Sequence, residues 1–324
     1  MRSLRIVSIL AALTLAGTAS AFEQPKAHDF TAKDHLVIFG DSTTAAGSRS
    51  AGYVQLLAQA MGEQLPGARV SAICKNTRAT NSLLGPGGWI LGKFDDLRKA
   101  DPAPTVSLIV LGLNDSKAGA KGVETYVKNL REAVGLLRER QQTVILTTPG
   151  TWGGLEQTKP YAAAARALAA ELKCPLIDLY AVQSELITAH TKGGKLDPAF
   201  NPTCDGVHLS AVGDTLWAGT ILKAFGLKPV WQQYQLRTSV SGGGDLVIDP
   251  QPTIGKGEGA KDRPAYAPGT KVTLTCKPKP GMVFDKWIHT SGEVVPGGDT
   301  PILTITMDRH QAIAAQLRKE DAKP

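Results

Sequence analysis

Two short segments of the chain carry side chains that could perform nucleophilic chemistry together. Ser42 follows Gly40 and Asp41, and an Asp-Gly-Val-His run places Asp205 three positions before His208. A serine hydroxyl attacks a carbonyl carbon efficiently only when a base takes its proton, and an imidazole held by a carboxylate is such a base. We therefore predict that Ser42 is the nucleophile, that His208 is the base and that Asp205 orients it.

A third segment could stabilise the negative charge that develops on a carbonyl oxygen under attack. Asn114 lies in Gly112-Leu113-Asn114-Asp115, directly after an apolar run. An amide side chain beside backbone N–H groups can donate hydrogen bonds to such an oxyanion. We predict that Asn114 and the N–H of Ser42 are two of the donors.

The predicted secondary structure places these residues at one edge of a sheet. Apolar runs at residues 36–39 and 106–111 are typical of buried strands, and Ser42 and Asn114 follow directly after them. Open α/β sheets bind ligands outside the carboxyl ends of their strands. Two strand ends therefore point to one crevice.

Further strands and helices alternate along the chain. The predicted strands are at residues 70–73, 143–148 and 176–179, and the predicted helices at 53–65, 94–99, 123–140, 159–172 and 210–225. This alternation predicts an α/β fold in which helices cover both faces of a parallel sheet, a flavodoxin-like three-layer sandwich. Asp178 follows a strand, where an aspartate more often caps a helix than performs catalysis.

The three segments together resemble a known family. Gly40-Asp41-Ser42, Gly112-X-Asn114-Asp115 and Asp205-X-X-His208 are similar to the first, third and fifth motif blocks of the SGNH (GDSL-type) hydrolases. The Thr43-Thr44 pair and the run from Asp205 to Ser210 are most similar to bacterial carbohydrate esterases of that family, including rhamnogalacturonan acetylesterase relatives. The resemblance covers residues 22–229 and implies a Ser-His-Asp triad, an acyl-enzyme and no cofactor.

The second block departs from the family pattern. Where the family has a glycine whose N–H completes the oxyanion hole, this chain reads Cys74-Lys75-Asn76-Thr77-Arg78-Ala79-Thr80, and Ala79 is the best counterpart by register. Alanine keeps the N–H but adopts positive φ less readily than glycine. Gly85, Gly87 or Gly88 could supply the donor instead, so the third donor stays open between these residues.

Three further residues are candidates for substrate contacts. Trp152 and Trp89 stand beside glycines in predicted loops, where an indole ring can stack on a sugar, and packing within the protein is the alternative. We expect Asp41, Trp89 and Trp152 to contact the substrate, an acylated carbohydrate or another ester.

The start of the chain predicts export. Residues 1–21 combine Arg2 and Arg5 with an apolar stretch and end in Ala-Ser-Ala, which is typical of a secretory signal peptide cleaved after Ala21. The apolar stretch is too short to span a bilayer, and no cysteine follows it for lipid attachment. We expect a secreted protein, periplasmic or extracellular, with no transmembrane segment.

Composition sets further bounds. The 324 residues, of which 42% are hydrophobic, can form one large core and a smaller second one. The net charge of +7 is interspersed along the chain, and without basic runs or interleaved aromatics it indicates no nucleic-acid partner. A basic surface could favour an anionic polymer such as pectin, although a solvated surface is the commoner reason for such a charge.

The four cysteines are Cys74, Cys174, Cys204 and Cys276. An oxidising compartment allows one or two disulfides, and a Cys74–Cys204 bridge would join two of the predicted site loops. Cys174 could equally be a buried free thiol. No Cys or His spacing suggests a metal site.

Beyond Pro229 the pattern changes to alternating apolar and polar runs, which predict a small β-rich module. Segments 266–274, 280–287 and 305–308 resemble the bacterial divergent internalin B-type repeat. That resemblance implies a compact β-grasp-like fold with Phe284 and Trp287 in its core, and a spacer, adhesion or docking role with cell-wall or polysaccharide contact. The predicted domains are a signal peptide (1–21), a hydrolase domain (22–229), the repeat module (230–318) and a disordered tail (319–324).

The leading hypothesis is a secreted serine esterase that removes a short acyl group, acetyl first, from a polysaccharide. A lipase, lysophospholipase or thioesterase of the same family is the first alternative. A wall-associated binding protein with a degenerate hydrolase domain is the second, and only the altered second block favours it. The full set of Ser42, Asn114, Asp205 and His208 favours the enzyme, because a pure binding protein has no chemical need for it.

Overall fold

The structure, a computed structural model, describes residues 24–152, 155–257 and 260–320. The predicted signal peptide lies outside these residues. Residues 24–229, here called the α/β region, contain a five-stranded parallel sheet in the order β2-β1-β3-β4-β5. Its strands are β1 (His35–Gly40), β2 (Arg69–Cys74), β3 (Val106–Val110), β4 (Thr143–Thr147) and β5 (Leu176–Ile177). This flavodoxin-like order confirms the predicted α/β fold class, and its strand order reverses between β1 and β3.

Seven helices connect or flank these strands in the described part of the α/β region. They are α1 (Ser42–Gly47), α2 (Tyr53–Gln64), α3 (Asp95–Leu97), α4 (Val123–Glu139), α5 (Lys159–Glu171), α6 (Leu179–Ala189) and α7 (Ala211–Ala224). Short 3₁₀ turns occupy Thr80–Leu83, Asp115–Gly122 and Pro198–Phe200, a π turn occupies Ile90–Phe94, and β6 (Thr191–Lys192) and β7 (Lys195–Leu196) form a small hairpin. No helix of the described residues is long and apolar enough to cross a membrane.

The continuous apolar run in β1 follows from burial of both sheet faces. Leu36 and Ile38 face one hydrophobic core with α2 and α7, whereas Val37 and Phe39 face a second core with α4 and α5. All four side chains are fully buried. A strand with two covered faces has no solvent side to carry polar residues, which is why its sequence does not alternate.

Two local predictions differ from the structure. The helix predicted at residues 94–99 is present only as the three-residue α3 (Asp95–Leu97), which a π turn at Ile90–Phe94 precedes. The strand predicted at 176–179 ends at Ile177, because the Asp178 side chain accepts a hydrogen bond from the N–H of Ala181 and caps α6. The prediction that Asp178 caps a helix is confirmed, and the carboxylate also binds Arg166 at 2.6 Å.

The C-terminal module, residues 234–320, consists of two packed sheets, which confirms the predicted β-rich fold. Its strands are β8 (Tyr234–Ser241), β9 (Gly244–Asp249), β10 (Thr253–Gly257), β11 (Ala260–Tyr266), β12 (Lys271–Pro278), β13 (Met282–His289), β14 (Ile302–Thr306) and β15 (Gln311–Lys319). The sheet orders are β10-β11-β8-β15-β13 and β14-β12-β9. The described part of the module contains no helix, so its likeness to a β-grasp fold rests on strands alone.

The core of the module is built around Trp287, as predicted. Trp287 is fully buried and donates its indole N–H to the carbonyl of Thr300 at 2.9 Å, and Phe284 packs against it with ring centroids 5.6 Å apart. The last strand includes Lys319, so it extends into the predicted tail, and the N–H of Glu320 still bonds to Gly281. Residues 321–324 of that predicted tail lie outside the described residues.

The C-terminal module contacts the connection between α1 and α2. The N–H of Ala51 donates to Oε1 of Gln235 at 2.8 Å, and the hydroxyl of Ser50 donates to the carbonyl of Leu236 at 3.2 Å. Gln235 is fully buried in this contact. Since a buried amide is stable only with its hydrogen bonds made, these contacts fix β8 against the segment that follows α1.

A second contact joins the module to the start of α7. The N–H of Ala211 donates to the hydroxyl of Thr290 at 3.3 Å, and Arg237 lies 3.4 Å from Asp214. The module therefore packs on both chain segments that flank the strand-edge crevice.

Candidate active site

Ser42 is the first residue of α1, at the carboxyl end of β1. Asp41 caps this helix, because its Oδ1 accepts a hydrogen bond from the N–H of Thr43 at 2.9 Å. The N–H groups of a first helical turn have no partner within the helix, which leaves the N–H of Ser42 available. Gly40 is required here, since a Cβ on it would lie 1.8 Å from Oγ1 of Thr44.

His208 and Asp205 form a closely bonded pair. The ring Nδ1 of His208 lies 2.7 Å from Oδ2 of Asp205, and Oδ1 of Asp205 accepts the backbone N–H of His208 at 2.7 Å and that of Val207 at 3.0 Å. Burial opposes the charge of Asp205, but these hydrogen bonds outweigh it and lower the pKa of the carboxyl. The carboxylate is therefore ionised at neutral pH and orients the imidazole, leaving Nε2 for chemistry.

The imidazole of His208 lies close enough to Asp41 for a positive charge on the ring to affect that carboxyl. The charge of His208 acts on Asp41, the residue before Ser42, and stabilises its ionised form. No hydrogen bond between the Ser42 hydroxyl and His208 is formed among the described residues. Catalytic hydrogen bonds are commonly long in ligand-free enzymes and tighten when substrate binds.

Asp41 is buried, which differs from the prediction that it contacts the substrate. Its side chain is only 2% exposed, and its Oδ2 accepts a hydrogen bond from Nδ2 of Asn114 at 3.1 Å while Oδ1 caps α1. Burial raises the pKa of this carboxyl to about 6, although the hydrogen bonds and the charge of His208 oppose that shift. Asp41 therefore positions α1 and Asn114 and is closed off from substrate by its own partners.

Asn114 follows β3 and joins two site segments. Its Nδ2 donates to Asp41 and, at 3.0 Å, to the backbone carbonyl of Arg78. The turn that presents it needs Gly112, whose φ of +127° lies in the region that glycine favours and whose Cβ position would be 3.1 Å from the Tyr126 ring. Ser42 follows β1 and Asn114 follows β3, so both stand where the strand order reverses, the usual ligand position in such sheets.

Ala79 sits in the second-block loop, residues 74–89, without backbone strain. Its φ is −108°, within the extended region that any residue adopts, so alanine can replace glycine there. Its N–H donates to no acceptor among the described residues. The predicted objection to alanine, its reluctance to take positive φ, does not apply at this conformation.

Asp115 fixes this loop, a role that sequence reasoning missed. Its Oδ1 accepts the hydroxyl of Thr80 at 2.6 Å and the N–H of Thr80 at 3.1 Å, and Thr80 directly follows Ala79. Burial raises the pKa of Asp115 despite these bonds. Asp115 also directly follows Asn114. Its hydrogen bonds to Thr80 therefore hold Ala79 close to the segment that carries the Asn114 side-chain amide. The only sequence signal was its place within the third block.

The two tryptophans occupy different environments. Trp89 is 6% exposed and packs in the core that contains Phe94. Trp152 is partly exposed, and Nζ of Lys117 lies 5.1 Å from its ring centroid. The Trp152 ring is therefore the more accessible of the two for a ligand, while most of Trp89 serves packing.

The four cysteines are free thiols in the structure, so the suggested Cys74–Cys204 bridge is not formed. Cys174 is a buried free thiol, which agrees with the alternative predicted for it. Among the described residues, no group of His, Cys, Asp or Glu side chains could hold a metal ion.

Comparison with known proteins agrees with this geometry. Residues 38–216 match the GDSL-like lipase/acylhydrolase family, more than half of the chain. The chain belongs to this family and is an ester hydrolase. Residues 252–320 match the divergent InlB B-repeat domain. Both resemblances predicted from the sequence are confirmed, and among curated proteins none matches the chain.

Two solved structures share the fold of the α/β region. An acetyl xylan esterase, AlAXEase, is 22% identical with a TM-score of 0.50, over 59% of this chain and 98% of the other. A putative GDSL-like lipase from Parabacteroides merdae ATCC 43184 is also 22% identical with a TM-score of 0.50, over 63% of this chain and 100% of the other. Similarity at this level of identity establishes the common fold.

Proposed function

We propose that this protein is a secreted serine esterase that removes short acyl groups, acetyl first, from a carbohydrate. The observation that carries the proposal is the 2.7 Å contact between Nδ1 of His208 and Oδ2 of Asp205, in a chain that also presents Ser42 at the end of a strand. A carboxylate on one ring nitrogen fixes the tautomer that leaves the other nitrogen able to accept a proton. Family membership supplies the ester bond as the target, and the fold shared with an acetyl xylan esterase favours an acetylated sugar.

The proposed mechanism gives each of these groups one role. Oγ of Ser42 attacks the ester carbonyl carbon while Nε2 of His208 takes the hydroxyl proton. The tetrahedral intermediate expels the sugar alcohol, which receives that proton from His208. Water, deprotonated in turn by His208, then attacks the acyl-enzyme, and the acid leaves with Ser42 restored. Asp205 stays ionised throughout and stabilises the imidazolium.

Three donors serve the oxyanion in this proposal. They are the N–H of Ser42, the N–H of Ala79 and the amide of Asn114. The N–H groups of Ser42 and Ala79 have no acceptor among the described residues, which supports these two donors. The Asn114 amide would give up one of its present acceptors, Asp41 or Arg78, to bind the oxyanion. Donors held in place before the reaction cost no reorganisation in the transition state, which is the physical source of their effect.

Export completes the proposal and rests on residues 1–21 alone. The test is the mass of the protein recovered from its native host, which should correspond to a chain that begins at Phe22. A recovered protein that still begins at Met1 would contradict export by this route.

Hydrolysis of a p-nitrophenyl ester series from acetate to palmitate tests the enzymatic part. The Ser42→Ala variant should lose activity, whereas the matched control Ser239→Ala, an exposed serine on β8, should keep it. Activity confined to the shortest esters supports a deacetylase, and acetylated xylan and pectin are then the polymer substrates to compare. A preference for long chains would move the enzyme to lipids, and activity that survives Ser42→Ala would refute the proposed nucleophile.

A further inference from the structure

The loop that carries Asp205 and His208, residues 201–210 and here called the histidine loop, lies outside the parallel sheet. The two side chains are 51% and 35% exposed. The ends of the loop are tied together, because the hydroxyl of Ser210 donates to the carbonyl of Asn201 at 2.6 Å. A loop with an exposed centre opens more readily than a buried element. The position of His208 therefore depends on what holds the two ends.

One turn of the C-terminal module contacts both of these ends. The turn comprises residues 289–293, directly after β13. At the first end, Nδ2 of Asn201 donates to the carbonyl of Ser291 at 3.4 Å. At the second end, the N–H of Ala211, the residue after Ser210, donates to the hydroxyl of Thr290 at 3.3 Å. Ser291 is buried, so the contact is shielded from most solvent.

Backbone hydrogen bonds fix this turn within the module. The N–H of Gly292 donates to the carbonyl of His289 at 2.9 Å, and the N–H of His289 donates to the carbonyl of Glu293 at 2.8 Å. The N–H of Thr290 donates to the carbonyl of Ala312, on β15, at 2.9 Å. Since β13 and β15 also pair along their length, the turn is an extension of the larger module sheet and not an independent loop.

The same sheet contacts the chain that follows the nucleophile. Its strand β8 pairs with β15 and accepts hydrogen bonds from Ser50 and Ala51, between α1 and α2. Among the described residues, no hydrogen bond joins Ser42 to His208 directly. One rigid sheet thus holds the segment after Ser42 on one side and the histidine loop on the other.

We propose that the C-terminal module positions the catalytic base, with Thr290 and Ser291 holding both ends of the histidine loop so that His208 stays within reach of Ser42. This inference rests on the proposed esterase function and adds positioning residues to the same site. Neither residue touches the reacting atoms. Their effect is large relative to two hydrogen bonds because a displacement of about 1 Å at a reacting group can cost about 100-fold in rate.

Two isosteric variants of the full chain test the contact by kinetics. Thr290→Val removes the acceptor of the Ala211 N–H and keeps the side-chain shape. Asn201→Asp keeps the Oδ1 that accepts the N–H of Thr203, but it replaces the donor to Ser291 by an oxygen. We expect each variant to lower kcat for p-nitrophenyl acetate about tenfold with little change in KM.

Rescue and a matched control separate positioning from module stability. Thr290→Ser restores the hydroxyl and should restore kcat to near the wild-type value. Thr304→Val removes the hydroxyl of an exposed threonine on β14, which bonds to Thr273 within the module, and should keep the wild-type kcat. A loss in Thr304→Val as large as in Thr290→Val, or a Thr290→Ser variant that stays slow, would overturn the proposal.

Amide hydrogen exchange gives a readout that does not need catalysis. The N–H of Cys204 donates to the carbonyl of His208, and the N–H of His208 donates to Asp205. In Thr290→Val and Asn201→Asp both amides should exchange about three- to tenfold faster, since each variant loses one hydrogen bond that holds the loop. The amide of Ala45 in α1, which donates to the carbonyl of Asp41, should keep its rate, and thermal unfolding should stay cooperative.

The two readouts distinguish failure of this inference from failure of the esterase proposal. Unchanged exchange in both variants would show that the turn does not hold the loop, and faster exchange with an unchanged kcat would show that holding it does not matter for the reaction. Either result overturns the positioning role and leaves the esterase in place. A wild-type protein without Ser42-dependent hydrolysis would overturn the esterase proposal, and exchange would still decide whether the turn holds the loop.

Discussion

Arg237 of the C-terminal module places both of its terminal nitrogens 3.4 Å from Oδ2 of Asp214 on α7. Asp214 is 1% exposed, and its other oxygen accepts the N–H of Tyr53 at the start of α2. One carboxylate thus joins α2, α7 and the module. Because α7 begins directly after the His208 segment, Arg237 connects the module to the helix that follows this segment.

This ion pair should give the protein a pH-dependent sensitivity to Arg237. Burial raises the pKa of Asp214 to about 7, against the opposing charge of Arg237. Above that pH the carboxylate is ionised inside the protein and needs its partner, whereas below it the neutral acid does not. Arg237→Met should therefore lower the free energy of unfolding by about 1.5–3 kcal/mol at pH 8, and by less at pH 5.

Urea unfolding at both pH values measures this difference. The double variant Arg237→Met with Asp214→Asn should recover part of the loss at pH 8, since it leaves no buried charge without a partner. An equal loss at pH 8 and pH 5 would show that Arg237 acts through packing and not through Asp214.

Asp205→Asn should preserve the fold and reduce turnover. An asparagine oxygen can still accept the N–H groups of Val207 and His208, but it does not stabilise the imidazolium that forms when Ser42 is deprotonated. We expect kcat for p-nitrophenyl acetate to fall about 10²- to 10⁴-fold. Asp197→Asn is the matched control, because Asp197 is also exposed and caps a short turn through the N–H of Ala199. A fall of similar size in both variants would argue against a specific role for Asp205.

Removal of the Thr80 hydroxyl tests whether Asp115 positions the oxyanion loop. Thr80→Val keeps the side-chain shape but takes away the 2.6 Å donor to Asp115. We expect kcat to fall about tenfold with little change in KM, because Ala79 is then held less firmly against the transition state, and a buried acceptor loses a partner at about 1–3 kcal/mol.

Rescue separates positioning from bulk stability. Thr80→Ser restores the hydroxyl and should restore kcat to near the wild-type value, although it removes a methyl group from a fully buried position. If Thr80→Ser is as slow as Thr80→Val, the hydrogen bond to Asp115 is not what sets the rate.

The two tryptophans should respond to substitution in opposite ways. Trp89→Ala removes a core side chain and should cost about 3–5 kcal/mol of unfolding free energy. Trp152→Ala, at a partly exposed position, should cost less than about 1 kcal/mol. If Trp152 stacks on a sugar ring, KM for an acetylated oligosaccharide should rise about two- to tenfold while KM for p-nitrophenyl acetate changes less.

Chemical denaturation and steady-state kinetics on the same preparations provide both measurements. A large loss of stability for Trp152→Ala, with no difference between the two substrates, would place that ring in the packing of its loop.

The sequence alone was sufficient for features that depend on neighbouring residues. The strands at the centre of the sheet, the helix that Ser210 caps and the pairing of Asp205 with His208 are set by local apolar runs, capping chemistry and a three-residue spacing. The helix predicted at residues 94–99 is shorter in the structure, where α3 covers only Asp95–Leu97 after a π turn that buries Ile90 and Phe94.

Other features depend on residues far apart in the chain, and only the tertiary structure decided them. Asp41 belongs to the interior because Asn114 reaches its carboxylate across the sheet, and Asp115 fixes Thr80 because β3 brings the two loops together. Arg237 meets Asp214 only once the module has docked. Such contacts carry no local pattern, since their geometry comes from the packing of elements that the sequence separates, and these contacts determine how the residues of the site are held.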